Sequence, residues 1–118
     1  MDNILTFVKK QVGIDEECDA YDVDIIGHIN SVFFILWQLG VGPKKCYRIE
    51  SESETWDEFT QGNDELEAVK TYIGQKVKLM FDPPTVSSLL QALKESIAEF
   101  EYRLNIAAEI STEEKEEA

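Results

Sequence analysis

One histidine, two cysteines and a run of carboxylates are the residues in this chain whose types suggest chemistry. The carboxylates Asp15, Glu16, Glu17, Asp19, Asp22 and Asp24 lie in GIDEECDAYDVD. Their density suggests calcium, but the spacing does not fit. Counted from Asp22, Ile26 falls at the fifth loop position and Phe33 at the twelfth, where a bidentate Glu is required. The segment reads instead as a solvated link, with Asp22 as a helix N-cap and Asp24 favoured in the first turn. His28 is the sole histidine, so any Ser-His-Asp or Cys-His arrangement would have to use it. It falls inside a helical pattern between Ile25 and Val32, as a half-buried structural residue would. Cys18 and Cys46 match no metal spacing and, without a secretion signal, read as free thiols. There is no Gly-rich phosphate loop, H-E-x-x-H or C-x-x-C. The expectation is a protein with no catalytic residues, no metal and no cofactor.

The chain has 118 residues, 43% hydrophobic and 30% charged, and a formal net charge of −13. This describes one globular domain. So acidic a surface repels phosphates, which argues against specific nucleic-acid binding and against an anionic membrane surface. MDNILTFVKKQVG lacks the layout of a signal peptide, and Ile25 to Gly42 is too interrupted by polar residues to span a membrane. The expected compartment is the cytoplasm.

Apolar spacing sets out the elements that would carry these residues. Ile4, Leu5, Val8 and Val12 mark a short first helix stopped at Gly13. A second helix runs from about Val23 to Leu39 on the stripe Ile25, Ile29, Val32, Leu36 and Leu39. Phe33, Phe34, Ile35 and Trp37 extend its apolar surface most of the way round. Such a helix is either central or turned toward another protein. Residues 43–63 are irregular. Cys46 to Ile49 reads as a brief strand, and Thr55 as the cap of a turn through Trp56 and Phe59, with Glu58 at the capping-box position. A third long helix starts near Asn63 or Asp64 and carries Leu66, Val69, Ile73, Val77 and Met80.

The segment MFDPPT must end that helix, because a proline disfavours the α region in the residue before it and donates no backbone hydrogen bond. Thr85 or Ser87 can cap the next helix, whose stripe is Val86, Leu89, Leu90, Leu93, Ile97, Phe100 and Leu104. So short a connection folds the two helices back on each other. The expected fold is all-α: a small helical bundle with a C-terminal antiparallel helix hairpin broken at Asp82-Pro83-Pro84-Thr85. A single domain is expected over 1–106, with an acidic, disordered tail over 107–118.

Aromatic residues exceed what one small core hides easily. The candidates for subunit or partner contact are Phe34, Ile35, Trp37, Trp56, Phe59, Tyr102 and Arg103, since Trp, Tyr and Arg are enriched at interfaces.

Three blocks together resemble a known family: DIIGHINSVFFILWQLGVGP (24–43), ETWDEF (54–59) and ELEAVKTYIGQKVKLMFDPPTVSSLLQALKESIAEFEYRL (65–104). The chain is similar to the small all-helical head–tail connector, or head-completion, proteins of long-tailed bacteriophages and prophages. The FDPP break, the W-x-x-F turn and the HINSV helix carry the likeness. The resemblance implies a structural virion-assembly protein. It implies a homo-oligomeric ring under the portal protein that extends the DNA channel and docks a tail-side or stopper protein. The subunit can be monomeric until the portal templates its ring. Its places would be the host cytoplasm during assembly and then the virion neck. Acidity would suit a channel through which DNA slides without phosphate contacts. The competing expectation is a cytoplasmic helical adaptor that binds one protein and never assembles.

Overall fold

The computed structural model describes residues 3–61 and 68–117, with side chains described as far as Glu109. Helix α1 spans Ile4–Gln11. The Asn3 carboxamide oxygen accepts the Thr6 N–H at 2.7 Å, which satisfies one of the free donors of the first turn. Ile4, Leu5, Val8 and Val12 are all buried, as their spacing requires, and Gly13 follows at φ 83. Lys9 is buried as well. Its Nζ lies 2.9 Å from the Asp22 carboxylate and donates to the Glu16 carbonyl at 3.0 Å.

That pairing changes the expected role of Asp22. Helix α2 spans Asp22–Gln38, Tyr21 occupies the N-cap without a side-chain bond, and Asp22 faces the ammonium of Lys9 instead of capping. A buried cation left unpaired would cost more than a missing cap. Ile25, Ile29, Val32, Phe33 and Leu36 are buried, while Leu39 is partly so.

After α2 the chain returns along it. No strand forms at 46–49; the Asn30 side chain takes that place. Its amide donates to the Ile49 carbonyl at 2.9 Å, and its oxygen accepts the Ile49 N–H at 2.8 Å. One carboxamide thus supplies both hydrogen bonds that a neighbouring strand would offer, and lets Ile49 enter the core. Gly42 lies at φ 95, and a Cβ there would stand 2.8 Å from the Phe59 ring. The position therefore needs glycine for both conformation and space. Helix α3, Trp56–Thr60, is capped as expected: Thr55 Oγ1 accepts the Glu58 N–H at 3.4 Å.

Helix α4 spans Ala68–Phe81; Leu66 and the expected start near Asn63 or Asp64 lie outside the described residues. Val69, Tyr72, Ile73, Gly74 and Val77 are buried. It packs against α1, α2 and α5, so α4 is the central helix, while Phe34 and Trp37 on the far side of α2 stay exposed. The helix closes with the Asp82 N–H on the Lys78 carbonyl, before the two prolines.

Helix α5 spans Ser87–Glu117 and runs antiparallel to α4. Tyr72 pairs with Glu101 at 2.7 Å and Gln75 with Ser96 at 3.0 Å, a register in which one number falls as the other rises. The hairpin at Asp82-Pro83-Pro84-Thr85 is therefore present. Three details differ from the sequence expectation. Leu90 N–H bonds the Val86 carbonyl, which puts Val86, and not Thr85 or Ser87, at the cap position. Val86 and Leu89, read as part of the buried stripe, are 54% and 59% exposed, and Met80 is exposed too. The stripe is sealed only farther along α5, where Ile97 and Leu104 are buried. Finally, no break marks residue 106. The helix continues to Glu117 through the segment expected to be disordered, and Ala108 packs on the core beside Gly40. Alanine and glutamate are good helix formers, so that stretch can extend a helix already nucleated and packed.

Candidate interaction surface

The uncovered outer face of α2 and the loop after it form the most distinctive surface of the molecule. Phe34 is 48% exposed and Trp37 is 44% exposed, with ring centroids 5.9 Å apart. The indole N–H of Trp37 donates to the Lys44 carbonyl at 2.9 Å, so the ring is held in place although it faces solvent. Half-buried Ile35 joins Phe34 in an open groove of about 550 Å³. Gly27 and Ser31 lie on the helix side of that groove, with Cys46 and Arg48 opposite.

The groove wall is built rigidly. Tyr47 lies edge-on to Phe33, 5.1 Å between centroids, and to Phe59 at 5.5 Å. Its hydroxyl donates to Glu58 at 3.2 Å. Burial, and then the Glu58 carboxylate, push the Tyr47 phenol well above its usual range. With Asn30 holding Ile49, the stretch 44–49 is pinned at both ends by hydrogen bonds and in the middle by an aromatic cluster.

Phe34, Ile35 and Trp37 are thus brought together by one turn of helix. Tyr102 and Arg103 lie on α5 as a separate patch. Tyr102 is 68% exposed, and Arg103 is engaged by Glu99 at 2.8 Å on its own helix. Trp56 and Phe59 are buried, so neither side chain is offered to a partner in this fold. Trp56 meets Phe7 edge-on at 5.3 Å, with the Lys70 ammonium 5.9 Å from its ring centre, and Phe59 lies on Phe33 at 4.9 Å. The alternation buried-Phe33, exposed-Phe34 could be read from the helical stripe. The exposed Val86 and Leu89 could not, because their spacing alone places them in the seam.

The chemistry-bearing residues remain dispersed. The His28 ring is half-buried, 6.3 Å from that of Phe81. Cys18 and Cys46 are free. Among the described residues no three His, Cys, Asp or Glu side chains converge, and no helix is long and apolar enough to cross a membrane.

A surface of exposed aromatics on an all-helical frame is equipment suited to binding another protein. The comparison with protein families agrees: the family model described as "Phage connector protein" matches residues 4–111. The chain belongs to the phage connector protein family, whose role is structural and lies in the head–tail connection of the virion. No curated protein and no solved structure matches it.

Proposed function

We propose that this chain is a ring-forming subunit under the portal vertex, extending the DNA channel and giving the tail or a stopper protein its docking surface. The family match over residues 4–111 carries the reading. The uncovered α2 face with Phe34, Ile35 and Trp37 supports it, because a ring of identical copies needs faces that a single copy leaves open. Tyr102 and Arg103, a patch apart from that face, are proposed as a second contact. The net charge of −13 favours passage of DNA without phosphate contacts.

Co-purification with the cognate portal protein, followed by imaging of the complex, tests this. A ring of copies on the tail-facing side of the portal is expected. A chain that does not bind the portal, or binds one other protein without forming a ring, overturns the proposal and leaves the adaptor reading.

A further inference from the structure

In so acidic a chain, the placement of free positive charge is informative. Among the described residues Lys9 pairs with Asp22, Lys76 with Glu101, Lys78 with Asp82 and Arg103 with Glu99, and Lys10 and Lys70 are engaged as well. Lys44, Lys45 and Arg48 are exposed, and no carboxylate among the described residues pairs with them. They cluster on the pinned loop beside Phe34 and Trp37. Because that loop is already ordered, little conformational freedom remains to be lost when something binds it.

The opposite chemistry lies on the link between α1 and α2. Asp15, Glu16, Glu17 and Asp19 are exposed, as is Asp24 in the first turn of α2, and none pairs with a cation among the described residues. Two apolar side chains stand among them, Tyr21 at 48% exposure and Val23 at 85%. This link is ordered too, since Lys9 grips it at Glu16 and Asp22. The two surfaces match in kind: cations with aromatic rings on one, carboxylates with Tyr21 and Val23 on the other.

No ion pair joins the two surfaces within one copy, and Lys44 is too far from the link to form one. Lys44 is tied to Trp37 at the C-terminal end of α2, whereas the link precedes its N-terminal end. Seventeen residues of helix separate those ends by about 25 Å. We propose that the Lys44–Arg48 loop with the Phe34–Trp37 face of one copy receives the acidic link of a second copy. The junction is head-to-tail, so a joined pair keeps one free surface of each kind and a chain of copies can close on itself. Elsewhere on the molecule the net negative charge keeps copies apart. This inference rests on the ring-subunit reading above and supplies its contact.

The test uses the full chain, mixed half in ¹⁵N-labelled and half in unlabelled form at millimolar concentration, and cross-linked with a carbodiimide. Mixed-isotope peptides joining Lys44 or Lys45 to the 15–24 segment are expected. The variant Lys44→Glu/Lys45→Glu/Arg48→Glu should lose them. Adding Asp15→Lys, Glu16→Lys, Glu17→Lys and Asp19→Lys to that variant should restore them with amine and acid exchanged. Unchanged far-UV circular dichroism shows that each variant is folded. Absence of these links in the wild-type chain, links confined to other sites, or failure of the double reversal to restore them overturns the junction. If those links are absent and the wild-type chain retards a DNA duplex while the loop variant does not, the loop is a phosphate contact and the junction is likewise overturned. Portal binding without the 44/45-to-15–24 link refutes the junction alone; the link without portal binding refutes the connector reading alone.

Discussion

Phe33 and Phe34 are neighbours on α2 with opposite surroundings. Phe33 is 1% exposed and packs with Tyr47 and Phe59; Phe34 is 48% exposed, with the ring of Trp37 beside it. The first cluster fastens the irregular segment after α2 to the bundle. The second leaves comparable aromatic surface in water, held but uncovered. Adjacent side chains on a helix point about 100° apart, so α2 serves the core with one face and leaves the next open to solvent. One aromatic set acts on the stability of the single copy; the other is the set proposed for association.

Substitutions should separate these roles. The largest effect is expected for Phe33→Ala. Removing a buried ring that contacts two others should cost about 3–5 kcal/mol in urea unfolding. A cost near that of an exposed position would remove the distinction. Asn30→Ala comes next. It strands the buried N–H and C=O of Ile49, so a loss of roughly 1–3 kcal/mol is expected. Amide exchange at Ile49 should quicken more than in α4, and equal quickening in both would mean that the clamp is not local.

Tyr72→Phe removes the hydrogen bond to Glu101, for a cost of about 1 kcal/mol near neutral pH. It also carries a sign in alkali. Burial, and then the Glu101 carboxylate, raise the Tyr72 phenol far above 10.0. The unfolded tyrosine ionises near pH 10 while the folded one stays protonated. Its contribution is therefore whole below that pH and declines above it. Wild-type melting temperature should drop above pH ~10, and the drop should be shallower in Tyr72→Phe. An unchanged slope would assign the alkaline loss to other groups, Tyr47 first among them. The smallest effect on stability is expected for Phe34→Ala, within about 0.5 kcal/mol, with portal co-purification nonetheless reduced. Full retention of portal binding would remove Phe34 from the contact.

Much of this division was legible in the residues. Pro83 and Pro84 can only end a helix, and the stripes on either side then have to meet. Thr55 with Glu58 announces its own cap. Ile25, Ile29, Val32 and Leu36 name the buried side of α2. These signals are local, so spacing suffices to read them. The remainder depends on contacts far apart in the chain. Asn30 stands 19 positions from Ile49, and nothing near Cys46 to Ile49 says that a carboxamide will replace a strand. Asp22 has the type and place of an N-cap, and only the arrival of Lys9 assigns it elsewhere. Trp56 and Phe59 lie in a polar segment that suggested exposure, yet Phe7, Phe33 and Tyr47 converge there and bury them. Val86 and Leu89 keep the seam's spacing although they remain exposed beside the corner.

The Asn30 clamp has one further consequence. A carboxamide neither gains nor loses a proton across the range in which proteins fold, and both groups it grips are backbone. The stretch bearing Lys44, Lys45 and Arg48 is thereby anchored by bonds indifferent to acidity. Its charges can be neutralised, reversed or engaged by another molecule while the scaffold beneath them keeps its position, so recognition there can evolve without renegotiating the fold.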